Sequence, residues 1–356
     1  MPVESPSLRV PRKLGEEAIN LAVRLHLLNK DLKVSSEGEY LYLPLLKEPN
    51  ATQIEQLTAV LARFEVTTCK FHKRIKSSMR AIDLAKELLP CNLVSFFPRS
   101  MDFVGDIAVV EVPSELESHK QTVGEIILKA HKNVKTVLAK AGAISGARRL
   151  REFEVLAGQD RTETVHREHG CTYYLDIAKV YFSPRLSYEH NRVASQVGED
   201  ETVIDMFAGI GPFSILIAKK HSGAKIYAID LNPQAVKYLK RNIIANGVQE
   251  RVVPIIGDAK EIVPFKLANS ADRVIMNLPE KALEFLSTAC ETLKPQGGIV
   301  HFYHFENGSN PIETTKERLT ETLEKMGYKI NNVLLARTVR EVSPYRYQVV
   351  VDLKIT

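Results

Sequence analysis

The segment Asp205–Ser214, DMFAGIGPFS, constrains this chain more than any other. The apolar run Thr202-Val203-Ile204 leads into Asp205, Gly209 and Gly211 set a tight turn, and Phe213-Ser-Ile-Leu-Ile-Ala218 reads as a helix. A strand that stops at a glycine-rich loop and resumes as a helix is the first unit of a nucleotide-binding α/β fold. A second run, Lys225–Ile229, ends in Asp230, 25 residues after Asp205, where a carboxylate is placed to grip a ribose diol.

Ser214 stands where a dinucleotide fingerprint has its third Gly or Ala. A pyrophosphate needs close backbone approach over a longer span, whereas a cofactor without phosphates needs one tight turn beside it. The loop therefore favours S-adenosylmethionine over NAD. Gly257-Asp258-Ala259 follows a third apolar run, with Asp258 suited to the adenine amino group, and Asn277-Leu278-Pro279 follows a fourth. One such Asp would be unremarkable, since Asp after a strand is a common helix cap. Four loops in order at the carboxyl ends of consecutive strands, where open α/β sheets bind ligands, specify a class I (Rossmann-like) S-adenosylmethionine methyltransferase fold. Phe207, Ala208, Leu231 and Ala259 flank these positions and belong to the same expected cofactor site.

Hydrophobic runs at 203–204, 226–229, 252–256, 274–276 and 298–303 alternate with helical patterns at about 212–220, 233–246 and 280–294, the signature of a parallel, doubly wound sheet. Two more strand-like runs, 333–340 and 346–354, predict an antiparallel edge. Upstream, 13–28 reads as an amphipathic helix, 40–44 as a strand and 53–64 as a helix. A basic helix at 74–89, a strand at 107–112 and a helix at 121–139 follow. The chain thus divides into a small N-terminal domain (1–68), a basic α/β domain (69–148) and the catalytic domain (149–356).

Net charge is +5 over 356 residues, unevenly spread: from Cys69 to Arg151 there are 15 Lys or Arg against 8 Asp or Glu. That local excess points to a polyanion such as nucleic acid, or to a solvated Lys-rich face. No apolar run approaches the roughly 20 residues of a membrane span, and Met1-Pro-Val-Glu-Ser-Pro has no secretory signal architecture. Cysteines at 69, 91, 171 and 290 form neither a metal pattern nor a disulfide framework. A protein free of membrane, in a reducing cytoplasm, is expected.

In Asn277-Leu278-Pro279-Glu280, Leu278 and Glu280 replace the second proline and the aromatic residue of the pattern usual in nitrogen-directed methyltransferases. A polar loop with a helix-starting proline is the plainer reading. Three longer stretches decide more: Arg149-Leu-Arg-Glu-Phe-Glu154, Leu156-Ala-Gly-Gln-Asp-Arg-Thr162, and Asp176–Leu186 with Glu189. With Asn277-Leu-Pro279, with Leu28–Asp31 and Ser36–Pro44, and with Val104-Gly-Asp-Ile107, the chain resembles the archaeal and eukaryotic tRNA guanine-37 N1-methyltransferases over nearly its whole length. The resemblance implies S-adenosylmethionine as cofactor and tRNA as partner, with a monomer able to reach across one tRNA. The first domain would touch the tRNA outer corner.

The resemblance also assigns roles. Glu189 matches the general base and Arg149 the arginine held against guanine O6; Asn277 and Pro279 match the loop that holds the base near the methyl donor. Tyr181 falls on an aromatic position near the flipped base, and His190, where some relatives carry arginine, falls beside the cofactor. Guanine N1 carries a proton and is a poor nucleophile until that proton leaves, whereupon charge spreads to O6. A carboxylate at N1 and a cation at O6 are the minimum set. A free Glu is a weak base, with a pKa of about 4.3, and burial would strengthen it. Arg148, Arg149, Arg151 and Arg185 are placed to hold the RNA backbone, although Arg151 and Arg185 could equally be structural ion-pair partners. No metal-ligand cluster is evident. Two alternatives stay open: a related wybutosine-pathway enzyme (carbon methylation of a tricyclic guanine, or aminocarboxypropyl transfer), and a non-catalytic tRNA-binding protein.

Overall fold

The computed structural model describes residues 2–73, 80–142 and 151–356. The basic stretch 74–79 and the candidates Arg148 and Arg149 lie outside them. The chain forms two units, Met1–Met79 and Arg80–Thr356. Among the described residues no helix is long and apolar enough to cross a membrane.

The first unit is a four-stranded antiparallel sheet in the order β2-β3-β1-β4, built from β1 (Val3–Pro11), β2 (Ser35–Glu37), β3 (Tyr40–Pro44) and β4 (Glu65–Phe71). Helices α1 (Gly15–Arg24) and α2 (Ala51–Val60) complete it. Leu8, Val10, Ala18, Leu21, Leu43 and Leu57 form its core. Asn50 opens α2 with a capping box, its side chain accepting from Gln53 N at 2.9 Å while Gln53 returns a bond to Asn50 N at 3.1 Å. Strand β4 pairs with β1 from Glu65 to Phe71, so this sheet runs past the expected boundary at 68.

The second unit starts with α3 (Ala81–Leu88) and a sheet of order β5-β6-β7-β8: β5 (Met101–Val104), β6 (Ile107–Val110), β7 (Thr136–Lys140) and β8 (Phe153–Gly158). Helix α4 (Lys120–Ala130) packs Val123, Ile126 and Ile127 onto it. Two expectations change here. The helix expected over 121–139 ends at Ala130, and its last residues are β7. Strand β8, expected in the catalytic domain, is the edge of this sheet. Gly124 allows the close approach of α4 to β8, because a Cβ there would come within 2.6 Å of Leu156 Cβ.

A hairpin, β9 (Glu163–Glu168) and β10 (Cys171–Asp176), and helix α5 (Ser187–Ala194) precede the main sheet. That sheet has seven strands in the order β13-β12-β11-β14-β15-β17-β16. They are β11 (Thr202–Asp205), β12 (Lys225–Asp230), β13 (Val252–Ile256), β14 (Arg273–Met276), β15 (Gly298–Asn307), β16 (Ile330–Ser343) and β17 (Arg346–Ile355). The first five in space are parallel, and β17 and β16 form the antiparallel edge. The connecting helices are α6 (Pro212–Lys220), α7 (Pro233–Asn246), α8 (Ala259–Ile262), α9 (Leu286–Thr292) and α10 (Pro311–Lys325).

Successive strand residues serve opposite faces. Val203, Ile226, Ile275 and Tyr303 join one core with α6 and α7, and Ile204, Ile229, Met276 and Phe302 join the other with α9 and α10. Strand order reverses beside β11, which places a crevice at the carboxyl ends of β11 and β14.

Candidate active site

The crevice is a cavity of about 240 Å³ lined by the strand-end loops. Gly209 and Gly211 hold left-handed φ of +57° and +92°, and a Cβ on Gly211 would run into Leu239. That turn presents Gly209 N to Asp230 Oδ2 at 2.7 Å, while Asn232 N reaches Oδ1 at 2.8 Å. One carboxylate therefore ties the first loop to the second and keeps lone pairs for a ribose diol. Leu231 is 48% exposed, and Phe207 meets Phe285 edge-on at 5.0 Å; together they offer apolar surface to a purine. Asp258 caps α8 through Lys260 N at 2.9 Å.

Beneath the turn, Asp205 is fully buried. Its Oδ2 accepts from Ser214 Oγ at 2.7 Å, and its Oδ1 has no hydrogen-bond partner. Burial, with the nearby Asp230 charge adding to it, pushes its carboxyl up to about 7. An orphaned carboxylate oxygen under a nucleoside-sized cavity fits a cofactor that carries cationic groups, as S-adenosylmethionine does. Of the expected cofactor residues, Phe207, Gly209, Asp230, Leu231, Asp258, Ala259 and Asn277 line the cavity. Asp205, Ala208 and Gly211 shape the turn from behind it. His190 does not line it: its Nδ1 lies 2.6 Å from Glu168 Oε1 and its ring meets Phe213 edge-on at 4.7 Å. Pro279 is buried, with its carbonyl accepting from Phe305 N at 3.3 Å. Met206, Asn232, Leu278, Lys281 and Phe285, none of them among the expected cofactor residues, also line it.

Tyr181 lines this cavity and also a second, basic cleft of about 260 Å³. Arg151, Arg185, Lys140 and Arg340 line the second cleft, with Asp102 and Glu341 as counter-charges. Three expected RNA-facing residues, Arg151, Tyr181 and Arg185, are thus brought together, and Lys140 and Arg340 are added. Arg185 is also a structural ion-pair partner, its Nε 2.5 Å from Asp102 Oδ1. It borders a third recess as well, with Tyr188, Glu189, Arg337 and Val339.

Glu189, in the first turn of α5, is 1% exposed. Its Oε2 accepts from Tyr303 Oη at 2.7 Å and from Arg192 Nε at 2.9 Å, and its Oε1 accepts from Arg337 Nη2. Arg192 continues to Asp352, with Nη1 2.5 Å from Oδ2. His301 Nδ1 lies 2.7 Å from Asp352 Oδ1, and Arg273 Nη1 lies 2.9 Å from His301 Nε2. A guanidinium can only donate, so His301 accepts at Nε2 and carries its proton on Nδ1, toward Asp352. Burial alone would push the Asp352 carboxyl up, but hydrogen bonds from His301 and Arg192 outweigh it and hold it below the usual range. Two guanidinium groups, those of Arg192 and Arg337, thus pair with the one buried carboxylate of Glu189.

Family models match along the chain: a tRNA methyltransferase 5 N-terminal domain at 7–53, a TYW2 N-terminal domain at 82–162 and a TRM5/TYW2 methyltransferase domain at 164–331. The tRNA (guanine(37)-N(1))-methyltransferase Trm5b of Pyrococcus abyssi is 39% identical over 350 residues, which is 98% of this chain and 99% of that one. This chain belongs to the TRM5/TYW2 methyltransferase family. Another TRM5/TYW2-type relative, the tRNA 4-demethylwyosine(37)-methyltransferase Taw21 of Saccharolobus solfataricus, is 40% identical over 257 residues, 72% of this chain and 94% of its own.

Among solved TRM5/TYW2 structures, a complex of aTrm5 with tRNALeu matches 98% of this chain and 99% of its own, at TM-score 0.68 and 34% identity. TYW2 of Methanocaldococcus jannaschii in complex with AdoMet matches 72% of this chain and 99% of its own, at TM-score 0.56 and 32% identity.

Proposed function

We propose that this protein transfers a methyl group from S-adenosylmethionine to N1 of guanosine 37 in tRNA. The observation that carries the proposal is Glu189: a carboxylate 1% exposed at the edge of a recess, fixed through Oε2 by the buried Tyr303 and by Arg192, and held through Oε1 by the more exposed Arg337. End-to-end similarity to a relative named for this reaction supports the same reading, and the aTrm5–tRNALeu complex supports tRNA as the partner.

The target base must leave its stack to reach such a recess. Lys140, Arg151, Arg185 and Arg340 hold the RNA backbone across the basic cleft. Tyr181, at the join of the two cavities, offers a ring for the flipped guanine, and Asn277 and Pro279 hold the base edge toward the cofactor cavity. Glu189 takes the N1 proton through Oε1 while Oε2 stays anchored. The charge that then develops on O6 is met by Arg149, on the strength of the family resemblance alone. When bound, S-adenosylmethionine supplies the methyl group. The first unit checks the outer corner of the tRNA, and the protein works as a cytoplasmic monomer.

The similarity to Taw21 favours one second reading, methylation at carbon of a tricyclic guanine; aminocarboxypropyl transfer belongs to the same group of reactions. Incubation with S-adenosylmethionine and three tRNAs, unmodified with G37, unmodified with A37, and carrying a tricyclic guanine at 37, followed by nucleoside mass analysis, tests all three. The proposal expects 1-methylguanosine with G37 alone. An aminocarboxypropyl adduct, or a product only from tRNA carrying a tricyclic precursor, replaces it with the corresponding alternative.

A further inference from the structure

Both oxygens of Glu189 are engaged, and its three partners differ in one respect. Tyr303 is fully buried and the Arg192 side chain is 9% exposed, with Asp352 behind it. Arg337 comes from β16, on the antiparallel edge, and its side chain is 31% exposed. Among the described residues it alone hydrogen-bonds Oε1. Its guanidinium carbon also lies 5.0 Å from the ring centre of Tyr188, itself 68% exposed. An N1–H can therefore reach Oε1 only after Arg337 has left, and Arg337 is the one partner with solvent and cleft beside it to leave into.

We infer that Arg337 is a displaceable plug on Glu189, exchanged onto the RNA backbone when tRNA binds. The inference rests on the reading of Glu189 as the base. A guanidinium pulled off a buried carboxylate needs another anion, because an unpaired charge in a half-buried place is costly. A phosphate oxygen of the flipped nucleotide supplies one and suits the planar fork of arginine. The exchange does two things at once. It uncovers Oε1, and it takes away one of the two cations that stabilise the Glu189 anion, which leaves a stronger base. Glu189 and tRNA thus compete for one arginine, and the base is unmasked only where RNA backbone has arrived.

The competition predicts a double-mutant cycle in tRNA affinity that needs no methyl transfer. The full-length protein, Glu189→Gln, Arg337→Gln and the double variant are titrated with unmodified tRNA transcript, and thermal melting of each confirms a folded protein. Glu189→Gln frees Arg337 and binds tRNA roughly fivefold tighter, the worth of one partly exposed ion pair. Arg337→Gln binds about fivefold more weakly, and in that background Glu189→Gln brings no gain. Arg337→Lys, which keeps the charge, restores both the affinity and the gain. A Glu189→Gln gain that persists without Arg337, or no gain in either background, overturns the exchange. Because affinity is read rather than product, a wild-type protein that makes no 1-methylguanosine would refute the proposed reaction separately.

Discussion

Arg192 Nε donates to Glu189 Oε2 at 2.9 Å from three residues along the same helix, while its Nη1 and Nη2 reach Asp352 at 2.5 and 3.3 Å. One guanidinium thus bridges two buried carboxylates, Glu189 and Asp352. Through His301 and Arg273 the hydrogen bonds continue across the sheet to Glu201, 2.7 Å from Arg273 Nε. Helix α5 is thus hydrogen-bonded directly to β15 and β17, and through Asp352 and His301 to β14.

Arg192→Met should therefore destabilise the protein far more than a surface change. It leaves Glu189 and Asp352 facing each other without their shared cation, and breaking a buried pair in this way costs about 3–5 kcal/mol. Chemical denaturation should show that loss. A change below 1 kcal/mol would mean the network is loosely formed in solution.

Tyr303→Phe removes one hydrogen bond from Glu189 Oε2 and leaves the packing unchanged. A single buried bond of this kind is worth about 1–3 kcal/mol. A bond to the anionic form favours that form, so losing it should move the acid limb of the single-turnover rate to higher pH. An unmoved limb would contradict the role given to Oε2.

Cofactor binding should depend on pH through Asp205. With its carboxyl pushed up to about 7 by burial, the free protein holds Asp205 protonated below that value. A cationic cofactor favours the ionised form, so binding below pH 7 must first expel a proton. Affinity for S-adenosylmethionine should fall as pH drops from 8 to 6, and Asp205→Asn should flatten the profile. Calorimetry in buffers of different ionisation enthalpy would reveal the proton.

The alternation of apolar runs and helical patterns predicts all five parallel strands and the antiparallel edge, because strands buried on both faces read as plain apolar runs. Three features hide for identifiable reasons. Pro6 argues against a strand over 3–11, yet β1 is central. The Pro6 carbonyl accepts from Leu45 N, and the return bond that proline cannot donate is replaced, because Leu45 O accepts from Ser5 Oγ at 2.7 Å. The apolar stripe of α10 is broken by Thr315, which is buried but bonds Pro311 O at 2.7 Å. Residues 121–139 carry an apolar pattern that fits helix throughout, and the chain divides it at the turn before β7.

The cofactor loops are legible because each follows its strand directly. The surroundings of Glu189 are not, because Tyr303, Arg337 and Asp352 come from strands more than 100 residues away in sequence. Only the resemblance singles Glu189 out.

Removing the first unit should weaken tRNA recognition more than methyl transfer on bound tRNA. The pairing of β4 with β1 sets the cut: deletion at 65 would strand β4, whereas deletion of 1–79 removes the unit whole. Equal activity of the intact protein on full tRNA and on an anticodon stem-loop would argue against a shape-checking role.

The most direct measurement is the single-turnover rate of methyl transfer to G37 tRNA by Glu189→Gln, with tRNA and cofactor saturating and both affinities measured alongside. The account predicts a chemical step slower by about 100-fold or more, with the cofactor still bound and tRNA held at least as tightly. A Gln variant that transfers the methyl group at the wild-type rate would remove Glu189 from the role of base.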